Sequence, residues 1–88
     1  MIPIKEAVEK AAAFAQGVLE AGRSDAILLE EVEPSTADGN EVWLITLSLP
    51  ETIIPKSVIG GRRIYKTFTV DGRTGEVLSM KIRQLSGA

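Results

Sequence analysis

The apolar positions of the first twenty residues recur with the period of an α-helix. They fall at steps of three and four along one face: Ile4, Ala7, Val8, Ala11, Phe14, Ala15, Val18 and Leu19. Pro3 suits the first turn of a helix, and Gly22 suits a left-handed helix end. The pattern therefore predicts one amphipathic helix over residues 4–21. Gly17, inside it, is interpreted as a point of close packing against a sheet.

After the helix the apolar positions alternate with a period of two, which is typical of β-strands with one face in a core. Three segments carry this pattern, residues 41–49, 62–70 and 76–85. Residues 26–33 are also predicted to be a strand, short and acidic at its far end, and the turn-rich stretch 34–40 connects it to the next. The alternation places ten side chains on the core face: Trp43, Ile45, Leu47, Leu49, Ile64, Phe68, Val70, Leu78, Met80 and Ile82.

These elements predict an α+β fold, with one N-terminal helix packed on a four-stranded antiparallel β-meander. Eighty-eight residues are the length of one small domain, so the prediction covers residues 1–88 as a single unit. Trp43 lies in the strand with the strongest alternation. It is expected to be largely buried against four helix residues: Val8, Ala11, Ala15 and Val18.

The stretch VDGRTGEVL, residues 70–78, raises the question of an ion or phosphate site. It offers too few carboxylates for a calcium loop, and it lacks the lysine and the following helix of a phosphate loop. If Val70 pairs with Leu78 and Phe68 pairs with Met80, a three-residue loop, 73–75, remains, with Gly75 at its left-handed position. The stretch is therefore predicted to be a hairpin corner in which an aspartate binds nearby backbone amides.

Composition removes several kinds of chemistry. The chain has no cysteine and no histidine, so it lacks thiolate nucleophiles and the commonest transition-metal ligand. Glu30, Glu31 and Glu33 are the carboxylates to weigh as a catalytic group, with Glu30 and Glu31 expected on opposite sheet faces. A domain of this size has little room for the cleft that a carboxylate pair needs. We therefore expect no enzyme, no catalytic residue, no metal site and no cofactor.

Two regions are candidates for binding a partner. The connection PETIIPKSVIGG, residues 50–61, is long for a hairpin loop. Its apolar residues, which either cap the core or contact a partner, are Ile53, Ile54, Val58 and Ile59. The outward sheet face adds five candidates: Leu44, Arg63, Tyr65, Lys81 and Arg83.

Charge is divided unevenly along the chain. Up to residue 55 there are three basic residues against ten acidic ones, and after it seven basic residues against two acidic ones. Such a division is compatible with a charged interaction face. Basic residues around Tyr65 are also what a nucleic-acid platform uses. The single aromatic residue of this face and the net charge of −2 disfavour nucleic acid as the partner.

The order of the elements and the sequence YKTFTVDGRTGEVLSMKI, residues 65–82, resemble the PepSY domain family. The resemblance rests on the helix ending at Gly22, the aromatic strand with Tyr65 and Phe68, and the pattern V-D-x-x-T-G-E-V-L. It implies a non-enzymatic protein-binding module, with peptidase inhibition as its named activity. Cystatin-like inhibitors share the helix-on-sheet arrangement, but their Gln-x-Val-x-Gly hairpin is missing, since the nearest string is QLSGA at 84–88.

The leading hypothesis is thus a module that binds a protein partner, such as a peptidase. The alternative is a small self-assembling or scaffolding subunit, a homodimer whose contact is the loop 53–59 with the outward face around Leu44 and Tyr65. MIPIKEAVEK has no signal-peptide pattern and no apolar run reaches about 20 residues. No membrane span and a cytoplasmic location are therefore expected, or an extracytoplasmic one if the chain belongs to a longer protein.

Overall fold

The computed structural model describes residues 1–19, 27–50 and 63–83, and it shows one helix packed on a four-stranded sheet. The elements are α1 (Ile4–Leu19), β1 (Leu28–Ala37), β2 (Asn40–Pro50), β3 (Arg63–Asp71) and β4 (Val77–Ile82). The strands lie in the order β1-β2-β3-β4, and each neighbouring pair is antiparallel. The predicted α+β arrangement is confirmed.

One face of the sheet packs against α1 and forms the core. The buried core residues are Ala7, Ala11, Ala15, Ile45, Leu47, Leu49, Phe68 and Val70. The three alanines recur every four residues, so they lie in one line along the helix and let its backbone approach the sheet. Phe14 meets Phe68 edge to face, with 6.2 Å between the ring centroids. The core face predicted for β2 and β3 is therefore correct.

Several expectations for the helix are wrong. Ile4 and Val18 are exposed because they lie in the terminal turns, where fewer neighbours surround the helix. Gly17 is exposed as well, and a Cβ atom added there would meet no atom within 4 Å. Gly17 therefore does not mark close packing against the sheet. The predicted helix end at 20–22 lies outside the described residues.

Trp43 is mostly buried, as predicted, and packs against the core. Its indole N–H donates a hydrogen bond to the carbonyl oxygen of Ile2 at 3.0 Å, which places the ring beside the start of α1. Part of the ring packs on the core, whereas its polar edge binds the segment that leads into the helix. A mostly buried position at the margin of the core is what this amphipathic side chain adopts when its N–H needs a partner.

The first hairpin is longer and tighter than predicted. Residues 34–37 continue β1 and do not form a loop. The turn consists of Asp38 and Gly39, whose φ angles are +51° and +82°. This is the two-residue geometry that Asp-Gly favours between antiparallel strands. Pro34 made the segment resemble a loop, but proline is tolerated on an edge strand such as β1.

A β-bulge interrupts the pairing of β1 with β2. Leu29 pairs with Leu47, but the next pair is Glu31 with Thr46, so Glu30 is an extra residue on β1. An inserted residue reverses the side-chain alternation beyond it. The bulge therefore changes the face that Glu30 and Glu31 occupy, with consequences for the outer side of the sheet.

A second β-bulge shifts the pairing of β3 with β4 by one residue. The turn contains four residues, 72–75, because the Asp71 N–H donates to the Glu76 carbonyl at 2.8 Å and the Gly75 N–H donates to the Asp71 carbonyl at 2.9 Å. If the pairing of Asp71 with Glu76 continued along the two strands, Ser79 and not Met80 would lie opposite Phe68. The register shifts by one residue, and the predicted pair of Phe68 with Met80 is confirmed.

Leu78 is the extra residue of the second bulge, so it has no register partner on β3. Val70 pairs with Val77, and the predicted pair of Val70 with Leu78 is wrong. Leu78 is 49% exposed and Ile82 is 73% exposed, so neither belongs to the core as predicted. Val77, which the alternation did not place on the core face, packs against the core instead.

Candidate functional site

The sheet face turned away from α1, called here the outer face, carries the described candidate residues. Paired residues run across it in rows from β1 to β4: Glu33–Leu44–Thr69–Ser79, then Glu31–Thr46–Thr67–Lys81, then Ser48–Tyr65–Arg83. Arg63 is the first residue of β3 and pairs with Pro50 of β2. The loop candidates Ile53, Ile54, Val58 and Ile59 lie outside the described residues.

Ser48 is the centre of one hydrogen-bond cluster on the outer face. Its side chain is fully buried, and its hydroxyl donates to a carboxylate oxygen of Glu30 at 2.7 Å. The same hydroxyl accepts a hydrogen bond from Nε of Arg63 at 2.9 Å, and Nη2 of Arg63 donates to the Ser48 carbonyl at 2.9 Å. Two donors from one guanidinium hold its plane in a fixed orientation.

Arg83 is the centre of a second cluster, which reaches across the whole sheet. Its guanidinium pairs with the carboxylate of Glu31 and donates to the hydroxyl of Thr46 at 3.2 Å. The Thr46 hydroxyl also lies 3.0 Å from that of Thr67. The side chains of Arg83 and Glu31 are 39% and 58% exposed, so water screens the pair. It contributes less than about 1 kcal/mol to stability and mainly sets where the two charges lie.

The bulge on β1 places both carboxylates of these clusters on the outer face. Glu30 bonds to Ser48 and Glu31 to Arg83, and both partners lie on that face. The expectation that Glu30 and Glu31 point to opposite faces is therefore wrong. Strict alternation would have turned one of them toward α1. No local sequence signal marks this bulge.

The two clusters enclose an open cavity of about 260 Å³. Its lining residues are Glu30, Glu31, Thr46, Tyr65 and Arg83. Small-molecule sites are concave and mostly apolar, and they occupy roughly 300–1,000 Å³. This cavity is smaller than that, and four of its five lining residues are charged or bear an aliphatic hydroxyl.

Opposite charges balance around the two clusters of the outer face. The carboxylates there are Glu30, Glu31 and Glu33, and the cations are Arg63, Lys81 and Arg83. The carboxylates lie on the β1 side and the cations on β3 and β4. Nucleic-acid binding uses a surface on which positive charge dominates. The arrangement fits a partner of mixed charge better.

The corner at 70–78 holds its own aspartate. A carboxylate oxygen of Asp71 accepts hydrogen bonds from the backbone N–H groups of Arg73 at 2.7 Å and Thr74 at 3.0 Å. The bond from Thr74, followed by that from Arg73, lowers the pKa of Asp71. The contribution of this carboxylate to stability is therefore present above the usual carboxyl pKa and is lost as the pH falls through the lowered value. The predicted hairpin corner is confirmed, but the predicted three-residue loop is wrong, because the loop contains four residues, 72–75.

Gly75 is the residue of this corner whose backbone conformation favours glycine. Its φ angle is +80°, a conformation in which an L-residue costs about 1–2 kcal/mol and a β-branched one more. We predict that Gly75→Val lowers the free energy of unfolding by more than about 1 kcal/mol. Arg73→Ala should be close to neutral, because the bond to Asp71 comes from the Arg73 backbone. Urea denaturation measures both, and equal effects would contradict the assigned turn.

Comparison of the chain with protein-family models, curated proteins and solved structures finds no significant match. In the described part of the chain, no helix is long and apolar enough to cross a membrane. Among the same residues, no group of three or more aspartate or glutamate side chains is placed to hold a metal ion. The geometry of the outer face is therefore the basis on which a function is proposed.

Proposed function

We propose that this protein is a non-enzymatic protein-binding module and that the outer face is its recognition surface. The observation that carries the proposal is the pair of hydrogen-bonded side-chain clusters on that face. One cluster joins Glu30, Ser48 and Arg63, and the other joins Glu31 with Arg83. Charged groups held in place before binding lose little conformational entropy when a partner arrives.

The residue types of the outer face support a protein as the partner. Tyrosine and arginine are enriched where protein interfaces contribute most to affinity. Tyr65 is half-buried between Ser48 and Arg83, so its ring is already positioned. Leu44 adds a half-buried apolar position farther along the sheet. An aromatic centre with charged groups around it is the usual anatomy of an interface.

The resemblance to the PepSY family supports peptidase inhibition as the form that this binding takes. An inhibitor of this kind would act by occupying the enzyme, without chemistry of its own. Its effect would be stoichiometric, so residual peptidase activity would fall linearly with added module until one equivalent is reached.

The test compares two arginines that carry the same charge at different places. Arg83 lies in the outer-face cluster, whereas Arg73 is exposed in the turn between β3 and β4. We predict that Arg83→Gln weakens the complex with the native partner at least about tenfold, which is roughly 1.4 kcal/mol. Arg73→Gln, the matched control, should leave affinity unchanged. The partner is first captured from the native host with wild-type protein, and isothermal titration then measures affinity for both variants.

The outcomes separate the outer face from other surfaces. Arg83→Gln should remain folded by circular dichroism, because the exposed pair with Glu31 contributes less than about 1 kcal/mol. If both variants bind the partner like wild type, the outer face is not the recognition surface. If the captured partner is a peptidase whose activity does not change, the proposal of protein binding is supported and the proposal of peptidase inhibition is contradicted.

Self-assembly is a second candidate function, favoured by the separation of charge across the outer face. Glu31 and Glu33 lie on the β1 side, and Lys81 and Arg83 lie on the β4 side. A two-fold axis along the strands would place the acidic side of one copy over the basic side of the other. Light scattering at about 100 μM decides between the candidates, because a monomer at that concentration eliminates a functional dimer.

A further inference from the structure

The two edges of the sheet differ in their ability to pair with another strand. Ala37 and Asn40 flank the two-residue turn, so they form a hydrogen-bonded pair, and alternate residues of β1 bond to β2. Pro34 lies between Glu33 and Ser35, which bond to β2, so its backbone nitrogen faces the open edge of the sheet. Because proline has no N–H, that nitrogen cannot donate a hydrogen bond to another strand. A proline and a β-bulge on an edge strand both hinder the addition of another strand, and the β1 edge has both, at Pro34 and Glu30.

Between residues 79 and 83, the edge formed by β4 contains neither a proline nor a bulge. The backbone N–H of Arg83 donates to the carbonyl of Tyr65 at 2.9 Å, so these two residues form a hydrogen-bonded pair. Residues 81 and 79 repeat that geometry, and Met80 and Ile82 lie between them. The N–H and C=O groups of Met80 and Ile82 therefore point away from β3. Ile82, at this edge, is 73% exposed.

We propose that the β4 edge binds an extended segment of the partner protein by β-strand addition. This inference rests on the proposed function as a protein-binding module and specifies how a partner segment docks. The four backbone groups of Met80 and Ile82 would bond to the incoming strand, and the sheet would gain a fifth strand. Strand addition supplies affinity through the main chain and selectivity through the alternating side chains beside it.

The side chains along β4 determine the chemistry of that segment. Lys81 lies on the outer side of the sheet, opposite Thr67, and Arg83 follows on the same side. Ile82 lies on the other side of the strand and is largely exposed. An incoming strand would thus place alternate residues beside Lys81 and Ile82. Charge complementarity selects a segment in which acidic and apolar residues alternate.

A second copy of this chain is a poor occupant of the same edge. Pairing of β4 with β4 about a two-fold axis would bring Lys81 of one copy near Lys81 of the other, and like charges at close range repel. The β1 edge of another copy is acidic, but Pro34 and the bulge at Glu30 interrupt its hydrogen-bonding groups. The positive charge that repels a copy is the same charge that attracts an acidic segment.

Two synthetic peptides test the predicted chemistry. One alternates glutamate and valine over eight residues with Gly-Ser ends, and the other replaces each glutamate with lysine. We predict that the glutamate peptide binds with a dissociation constant below about 1 mM and that the lysine peptide binds at least about tenfold more weakly. Lys81→Glu should reverse this preference. Equal binding of the two peptides would overturn the proposed segment chemistry.

A pair of variants tests the backbone bonds directly. Ile82→Pro removes one outward N–H without removing a bond to β3, whereas Ile82→Ala keeps the N–H and shortens the side chain. We expect Ile82→Pro to weaken binding of the glutamate peptide at least about tenfold and Ile82→Ala to change it by no more than about threefold. Equal effects of the two substitutions would show that the main chain of β4 does not bind the peptide.

Nuclear magnetic resonance of the wild-type protein keeps the test independent of variant folding. The glutamate peptide should move the amide proton signals of Met80 and Ile82 downfield as those groups gain acceptors. Shifts centred on Glu31 and Thr67 would place the peptide on the outer face and overturn strand addition at β4. Absence of binding, combined with a loss of partner affinity in Arg83→Gln, would overturn the edge proposal and leave the proposed function standing.

Discussion

Phe68→Ala is expected to lower the free energy of unfolding by about 3–5 kcal/mol, the largest effect of a single substitution that we predict. Phe68 is fully buried and meets Phe14 edge to face, so truncation removes a large apolar contact and leaves a cavity under the helix. Domains of this size have total stabilities of about 4–13 kcal/mol, at roughly 0.05–0.15 kcal/mol per residue. Urea denaturation followed by circular dichroism should therefore show much of the native stability lost.

Two further substitutions serve as controls for this prediction. Phe68→Leu retains most of the buried volume and should cost clearly less than Phe68→Ala. Leu78→Ala removes an apolar side chain that is 49% exposed and should cost less than about 1 kcal/mol. A loss below about 1 kcal/mol for Phe68→Ala would mean that α1 does not cover β3 as described.

Gly72→Ala is expected to destabilise the protein by about 1–3 kcal/mol or more through overpacking. A Cβ atom at this position would lie 2.6 Å from the carbonyl oxygen of Glu41 and 2.6 Å from the sulfur of Met1. The methionine side chain can move away, but the carbonyl belongs to β2 and accepts a hydrogen bond from the Gly72 N–H at 2.9 Å. Relief of the clash would therefore strain that bond. Thermal and urea denaturation both measure the loss.

Gly17→Ala is the matched control because it adds the same methyl group in open space. Gly17 lies inside α1, and a Cβ atom there would meet no atom within 4 Å. Alanine is the better helix former by about 1 kcal/mol, so this substitution should raise stability. The two glycine substitutions are thus expected to have opposite signs. The same sign for both would contradict the close approach at Gly72 or the open surface at Gly17.

The hydrophobic pattern alone was sufficient to predict the helix and the core face of the two central strands. β2 and β3 are paired on both sides, so burial acts on every residue of their inner face and the alternation in sequence is strong. The first hairpin was predictable in principle, since Asp38-Gly39 is a strong turn signal. Pro34 obscured it, because whether proline breaks a strand depends on whether that strand lies at an edge.

The register of the edge strands was decided by the tertiary structure. The four-residue turn at 72–75 imposes one pairing of β3 with β4, whereas burial of Met80 opposite Phe68 requires another. A bulge at Leu78 satisfies both, and the conflict between the two requirements arises only once the strands are paired. The bulge at Glu30 has the same character, since it depends on how β1 fits against a strand already placed.

The outer face follows from these register shifts, which is why its clusters could not be read from the sequence. Tyr65, Lys81 and Arg83 were predictable as outward residues from alternation alone. The contact of Arg83 with Glu31 joins residues that are 52 positions apart and lie on opposite edges of the sheet. It requires the bulge that turns Glu30 and Glu31 to the same side. Local periodicity thus determined the core face of the helix and of the two central strands. Competition between turn geometry and core packing decided which charges meet on the surface.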